Sequence, residues 1–312
     1  MLSRISPHGR AVLQALIVTF LWSTSWVLIK FGLRDEIPAL TFAGLRYFLA
    51  FLCLLPLFLR RREQHAQLRQ LGTIGWLRLL LLGLLFYTVT QGAQFAGLAL
   101  LPAITVNLLL SLTTLIVTFM GMAMLNERPT GLQWVGLCCY LAGVVLYFFP
   151  VTLAAEQASG VAIVLAGVVA NAVSTLLGRA INREGTLAPL TVTVVSMGLG
   201  AIALLGAGIA LQGLPPISAG GWLMILWLAV VNTAFAFTLW NRSLRELSAM
   251  ESSIINNLMM IQIPVLAWLF LGEGISLKAG IAFTLAGAGI MVVQLRRLPV
   301  RLFRSAFRQT TG

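Results

Sequence analysis

The chain has 312 residues, of which 59% are hydrophobic and only 10% charged, and its net charge is +12. A typical soluble domain has about 25% charged residues, so a chain this apolar could not cover its own surface in water. The excess of positive charge does not indicate nucleic-acid binding, because the arginines lie in short clusters between apolar runs and not on one face of a soluble module. We therefore expect an integral membrane protein with the lipid bilayer as its solvent and no nucleic-acid partner.

The apolar runs predict an all-α fold of ten transmembrane helices, since a helix needs about 20 apolar residues to cross about 30 Å of hydrocarbon. Pro102 and Pro129 mark the starts of two helices, where proline is tolerated. The first run has no small-residue cleavage site after it, so we predict a retained helix and not a removed signal peptide. We number the predicted helices α1 to α10, at 11–31, 38–59, 76–99, 102–124, 130–149, 159–180, 188–210, 219–242, 249–271 and 277–297.

The distribution of basic residues predicts the orientation of the chain. With a cytoplasmic N-terminus, 17 of the 21 Lys and Arg residues fall in cytoplasmic segments, and only Lys30, Arg34 and Lys278 fall on the opposite side. Cytoplasmic loops of membrane proteins are enriched in Lys and Arg. The asymmetry predicts a multi-pass protein of the cell inner membrane with both termini in the cytoplasm, and it supports the even helix count.

The second half of the sequence repeats the first. At one constant offset, Trp76 matches Trp222, Glu127 matches Glu273 and Gly143 matches Gly289, and "PALT" at 38–41 faces "APLT" at 188–191. Because each half has an odd number of helices, the halves must be inverted relative to each other, which is typical of alternating-access transporters. Small residues recur at matching positions of α5 and α10, so we predict that these two helices form a packed structural seam or a dimer contact and do not line the substrate path.

The order of several motifs identifies a family resemblance. The first half carries "LWSTSWVLIKFGL", "PALTFAGLRYFLA" and "LNERPTGLQWVGLCCYLAGVVL", and the second carries "LGEGISLKAGIAFTLAGAGIMV". Together they resemble the drug/metabolite transporter superfamily, in its ten-helix branch with two EamA-type repeats. The resemblance covers about residues 11–297. It implies one EamA-like repeat over 1–150 (α1 to α5) and a second over 151–312 (α6 to α10) that ends in a basic cytoplasmic tail.

The resemblance also implies a function. Members of that superfamily export or exchange amino acids, related metabolites, drugs and sugars, through a central cavity walled by α1, α3, α4, α6, α8 and α9. We therefore expect an exporter of small metabolites, either as a monomer or as a dimer through α5 and α10. We expect amino acids or related amphipathic solutes, with lipophilic drugs as the alternative. No metal or other cofactor is expected.

Polar and aromatic side chains on the apolar helices are the candidate binding residues, because a polar group in hydrocarbon costs free energy unless it faces a cavity or another helix. Each polar one could equally form a hydrogen bond between packed helices. Asn171 and Asn232 lie near mid-span and are the preferred contacts, since an amide can donate to a carboxylate and accept from an ammonium. The candidates are Trp22, Ser25, Trp26, Gln91, Gln94, Phe95, Asn107, Ser111, Asn171, Ser174, Asn232, Phe235 and Asn257.

Charges within the helices bear on coupling and gating. No Asp, Glu or His lies near the middle of a predicted helix, which disfavours a proton relay and favours facilitated diffusion or exchange. Glu127 and Glu273 end α4 and α9 and could act in gates, as could a kink at Pro264. Arg46 is the one charge deep within a helix. It could be a partner for the substrate or for a gating carboxylate, but we expect it to reach the outer interface or helix-end carbonyls.

Other classes fit the sequence less well. An intramembrane enzyme would need paired carboxylates, clustered histidines or a nucleophile with a base near the membrane, and the two histidines, His8 and His65, both lie in predicted cytoplasmic segments. A nucleotide-sugar carrier would need several Lys or Arg in the cavity, whereas we predict a cavity that is polar and uncharged. A membrane assembly partner without transport remains as a third class.

Overall fold

A computed structural model describes residues 6–124, 130–150, 154–247 and 249–295. Within them, ten helices are long and apolar enough to cross a membrane, and no strand occurs in these ranges. The helices α1 to α8 span Pro7–Arg34, Ala39–Leu59, Thr73–Leu100, Ala103–Met124, Gly131–Phe148, Ala155–Glu184, Pro189–Gln212 and Ala219–Ser243. Helix α9 comprises Ala249–Asn257 and Met259–Leu271, and α10 spans Leu277–Leu295. The predicted fold class is therefore confirmed.

Local sequence signals set the helix ends. Ser6 caps α1 and Ser218 caps α8, since each hydroxyl accepts a hydrogen bond from a backbone amide in the first turn. Pro189 occupies the first turn of α7, where its missing N–H costs nothing. Gly185 follows α6 with a φ of 68°, a left-handed conformation that glycine adopts without steric cost.

Because the chain crosses back and forth, helix ends lie on two faces. We call the side at which α1 begins and α10 ends the N-terminal face, and the opposite side the far face. On the N-terminal face, Arg78 forms a salt bridge with Glu184 at 2.8 Å, and His8 lies 3.1 Å from Glu251. Both pairs are partly exposed, so each contributes little to stability.

Equivalent helices of the two halves pack against each other, α2 against α7 and α5 against α10. The second pair is the predicted seam, and its backbones are so close that a Cβ at Gly289 would lie 2.5 Å from the Gly136 carbonyl. A Cβ at Gly143 would similarly lie 2.6 Å from the Ala282 carbonyl. Small residues permit this approach, which replaces the hydrophobic drive that is missing in lipid. The small faces of α5 and α10 are thus covered within one chain.

Two helices contain a wider π-helical turn at matching positions of the repeat. In α3 the turn spans Leu84–Thr90, and in α8 it spans Val230–Phe235. In each, a threonine hydroxyl donates to a carbonyl five residues earlier, Thr90 to Leu85 and Thr233 to Leu228, both at 2.8 Å. A π turn inserts one residue and rotates the side chains that follow it, and such turns are frequent at functional sites. The hydropathy and repeat pattern of the sequence did not indicate these turns.

Candidate functional site: a cavity between the two halves

A cavity of about 630 Å³ lies between the two halves of the chain. Its wall includes residues of α1, α2, α3, α4, α6, α8, α9 and α10. The wall therefore has two more helices than the family resemblance implied. Helix α2 contributes Arg46 and Tyr47, and α10 contributes Ile290, Met291 and Gln294.

Nine of the thirteen candidate binding residues lie on this wall. Among them the aromatic side chain of Trp22 also packs against Phe237, with the ring centroids 5.4 Å apart. The amide of Gln91 accepts a hydrogen bond from the Tyr47 hydroxyl at 2.7 Å. The nine are Trp22, Ser25, Trp26, Gln91, Gln94, Asn107, Ser111, Asn171 and Asn257.

The other four candidates lie away from the cavity. Asn232 is fully buried, and its amide nitrogen donates to the Leu21 carbonyl and to Thr24, so it joins α8 to α1. Ser174 is buried and donates to the Asn171 carbonyl within its own helix. Phe95 is enclosed in the core, whereas Phe235 is 52% exposed on the outer surface. Both Asn232 and Phe235 belong to the π turn of α8, and neither side chain lines the cavity.

Arg46 also lies elsewhere than the sequence predicted. Its side chain is buried, with only 4% of the residue exposed, and it forms part of the cavity wall. Its Nε donates to the Thr233 hydroxyl at 3.0 Å, so it does not extend to the membrane interface or to helix-end carbonyls. Arg179 lines the same cavity. The prediction of an uncharged cavity was therefore wrong.

The described part of the cavity wall carries basic side chains but no acidic ones. Among the described residues, no aspartate or glutamate lines the cavity, whereas two arginines do. The remaining polar groups are amides and hydroxyls, and the apolar ones include Trp22, Trp26 and Phe86. Around Arg46, whose printed hydrogen-bond partner is the neutral Thr233 hydroxyl, the electrostatic environment favours a solute with an oxyanion over one whose only charge is positive.

The cavity reaches one face and is closed toward the other. Arg179 lies five residues before the end of α6 and Gln294 one residue before the end of α10, so the wall extends to the N-terminal face. Toward the far face, α1 carries Lys30 and Arg34, whose side chains donate to the carbonyls of Leu101 and Leu271 at 2.6 and 3.1 Å. Both side chains thus bind backbone carbonyls at the far-face ends of other helices.

Glu273 completes this closure. Its two carboxylate oxygens accept hydrogen bonds from the backbone amides of Ala103 and Ile104, at 2.7 and 3.0 Å. These amides form the start of α4, so a side chain of the second half caps a helix of the first, where the helix dipole favours negative charge. We call Lys30, Arg34 and Glu273, with the backbone groups they bind, the far-face seal.

The other two candidate gating residues, Glu127 and Pro264, are not part of the far-face seal as the structure describes it. Glu127 lies outside the described residues. Pro264 is buried inside α9, away from the cavity wall. A proline lacks the N–H that would bind the carbonyl four residues earlier, which is that of Met260. The amide of Asn107 on α4 donates to that carbonyl at 3.4 Å, so the position freed by Pro264 joins α9 to α4.

Comparisons with known proteins agree with this architecture. Residues 9–149 and 158–295 match the model of the EamA-like transporter family, one match in each half. The uncharacterized transporter YoaV of Bacillus subtilis is 27% identical, over 91% of this chain and 96% of its own length. An uncharacterized transporter of Archaeoglobus fulgidus is 25% identical, over 90% of this chain and 95% of its own. A solved crystal structure covers 92% of the chain with a TM-score of 0.65 and 19% identity, which indicates a shared fold.

Proposed function

The chain belongs to the EamA-like transporter family, and on that premise we propose that it exports small amphipathic metabolites, amino acids foremost, by alternating access. The orientation that fits the basic residues places it in the inner membrane with both termini in the cytoplasm. In that orientation the described cavity is accessible from the cytoplasm.

One observation carries this proposal: the cavity lies between two inverted halves, reaches one face, and is closed at the other by contacts between the halves. Arg34 of α1 binds the end of α9, and Glu273 of the second half binds the start of α4. Such contacts can break when the halves rock against each other, while the seam between α5 and α10 keeps them together. Breaking them would give the solute a path to the far face.

The size and lining of the cavity support the solute class. A volume of about 630 Å³ lies within the range of roughly 300 to 1,000 Å³ that small-molecule sites occupy. Amide groups such as Asn171 and Gln94 can bind either end of a zwitterion, and the indoles of Trp22 and Trp26 offer an apolar surface. A solute of amino-acid size with an apolar side chain fits this mixture.

The missing carboxylates support the mode of transport. Proton-coupled carriers place acidic groups along the solute path, and none of the described residues on the cavity wall is acidic. We therefore propose facilitated diffusion or exchange and no proton coupling.

Counterflow in proteoliposomes tests the proposal. Vesicles are preloaded with one unlabelled amino acid at a time, with no pH gradient, and entry of the same labelled amino acid is measured. We expect protein-dependent accumulation for at least one apolar amino acid, unchanged by a protonophore. Ser111→Trp should abolish it by filling the cavity, whereas Leu141→Trp on the outer surface should not. Entry of a labelled lipophilic cation is measured in the same way, because it represents the alternative class of lipophilic drugs.

Transport of the lipophilic cation alone would overturn the amino-acid class. Flux that required an imposed pH gradient would overturn the coupling. Equal flux in Ser111→Trp and Leu141→Trp would show that the solute does not pass through this cavity.

A further inference from the structure

Within the described residues, Arg46 is a buried cation, and no aspartate or glutamate lies within ion-pair distance of it. The Arg78–Glu184 salt bridge and the contact of His8 with Glu251 both lie at the N-terminal face. A buried charge is costly unless it is paired, and an ionisable group inside a membrane protein marks a functional position by default. The partner of Arg46 has to come from outside the described fold.

The Arg46 guanidinium is fixed through its Nε and through two aromatic rings, and its terminal nitrogens lie toward the cavity. Its Nε donates to Thr233, which is itself held by the Leu228 carbonyl within the π turn of α8. The guanidinium carbon lies 5.1 Å from the ring centroid of Tyr47 and 5.9 Å from that of Phe95. These contacts hold its plane, as recognition of a planar oxyanion by two parallel hydrogen bonds requires.

The two terminal nitrogens of Arg46 remain accessible. Neither nitrogen has a hydrogen-bond acceptor among the described residues. Neither is fully buried, because in that part of the chain Oδ1 of Asn232 is the one fully buried side-chain polar atom that lacks a hydrogen bond. Arg46 lines the cavity, so these nitrogens are accessible from it. They supply donors in the fork geometry that a carboxylate matches.

The repeat does not duplicate this group. Aligning "PALT" at 38–41 with "APLT" at 188–191 places Ser196 opposite Arg46, and Ser196 is buried and donates to the Val192 carbonyl in its own helix. A single cation at this position of the first half favours binding of one oxyanion at one end of the solute.

We infer that Arg46 is the carboxylate-binding residue of the cavity, and that transported solutes carry a carboxylate. This rests on the proposed function and narrows it. The carboxylate would bind the terminal nitrogens of Arg46, and the apolar part of the solute would extend along the cavity toward the aromatic wall. Cations without an oxyanion would be excluded by the charge of Arg46.

The transport test uses a matched set of solutes with the full-length protein. Labelled leucine counterflow is measured in competition with leucine, 4-methylpentanoate, leucinamide and 3-methylbutylamine. We expect the two carboxylates to compete and the two amines to fail. Arg46→Gln should lower leucine flux at least about 30-fold, as loss of a buried charge pair does. Arg46→Lys should retain part of the flux, and Arg245→Gln, at the N-terminal face, should retain all of it.

A stability measurement separates binding from a merely structural role. If Arg46 held the fold together, Arg46→Gln would lower the unfolding temperature. A solute-binding Arg46 predicts an unfolding temperature equal to or above that of the wild type, because an unpaired buried charge is removed. It also predicts that 4-methylpentanoate raises the unfolding temperature of the wild type and of Arg245→Gln but not that of Arg46→Gln.

The outcomes distinguish this inference from the proposed function. Absence of leucine flux together with carboxylate-specific stabilisation would contradict amino-acid transport and support the role of Arg46. Leucine flux that Arg46→Gln leaves intact, or competition by leucinamide as strong as that by leucine, would refute the carboxylate site and leave transport standing. Equal stabilisation of wild type and Arg46→Gln by 4-methylpentanoate would likewise refute it.

Discussion

Removing the carboxylate of Glu273 should open the far-face seal. That carboxylate accepts two backbone hydrogen bonds at the start of α4, at 2.7 and 3.0 Å, from the other half of the chain. Loss of a helix N-cap costs about 1 kcal/mol and up to about 2 kcal/mol, and the interaction of the charge with the helix dipole adds about 0.3 to 1 kcal/mol. Glu273→Ala should therefore weaken the closed state by about 2 kcal/mol, which is roughly a 30-fold change in the ratio of closed to open molecules.

The assay measures access to the cavity from the far side. Ser111 lines the cavity, so Ser111→Cys in a background without Cys53, Cys138 and Cys139 places one thiol there. Sealed vesicles are treated with a membrane-impermeant thiol reagent on the far side. Labelling should be about 30-fold faster with Glu273→Ala. Glu273→Gln keeps one acceptor oxygen, so a rise of about fivefold is expected there.

A matched control removes a helix cap that does not join the two halves. Ser276 lies on the same face and accepts a hydrogen bond from the Ala279 amide at 3.1 Å, within the first turn of α10. Ser276→Ala should leave the labelling rate unchanged. If the rate is the same in Glu273→Ala as in the parent, or rises equally in Ser276→Ala, Glu273 does not hold the far face closed.

Two further predictions concern the seam and the orientation. Gly289→Ala should lower stability by about 1 to 3 kcal/mol through overpacking, seen as a lower unfolding temperature in detergent, because its Cβ would meet the Gly136 carbonyl at 2.5 Å. Gly280→Ala on the same helix has no atom within 4 Å of the new Cβ and should not lower it; equal loss in both variants would contradict the seam. Reporter fusions at residues 1 and 312 should both locate to the cytoplasm, and an external C-terminus would mean that the helices inserted into the membrane are odd in number.

The number and type of helices follow from the sequence because hydrocarbon leaves a chain few alternatives. Every backbone polar group must be satisfied internally, so ten long apolar runs predict ten helices. Their ends were predicted less well: α1 covers Pro7–Arg34 where 11–31 was expected, and α6 covers Ala155–Glu184 where 159–180 was expected. A helix continues beyond the apolar core as long as caps and neighbours satisfy its last turns, and hydropathy does not report that.

The direction of a side chain around its helix follows from the sequence only in part. The candidates Asn107 and Ser111 lie four residues apart on the regular helix α4, and both line the cavity. In α8 the π turn lies at the point where Asn232 and Phe235 were assigned, and neither side chain lines the cavity. Arg46 posed a different difficulty, because a lone arginine in an apolar helix has the same sequence pattern whether it extends to the interface or faces a cavity.

The repeat separates what the two halves share from what they do not. The π turns and the glycines of the seam recur in both, and they shape the backbone. The side chains that could recognise a solute differ: Gln91 lines the cavity in the first half, and Phe237 lines it at the matching position of the second. The rocking of two equivalent halves against each other requires the backbone features that both halves share. A solute with one polar and one apolar end requires a cavity wall whose two sides carry different side chains. The asymmetry at Arg46 and Gln91 is therefore where differences in solute among relatives of this fold should concentrate.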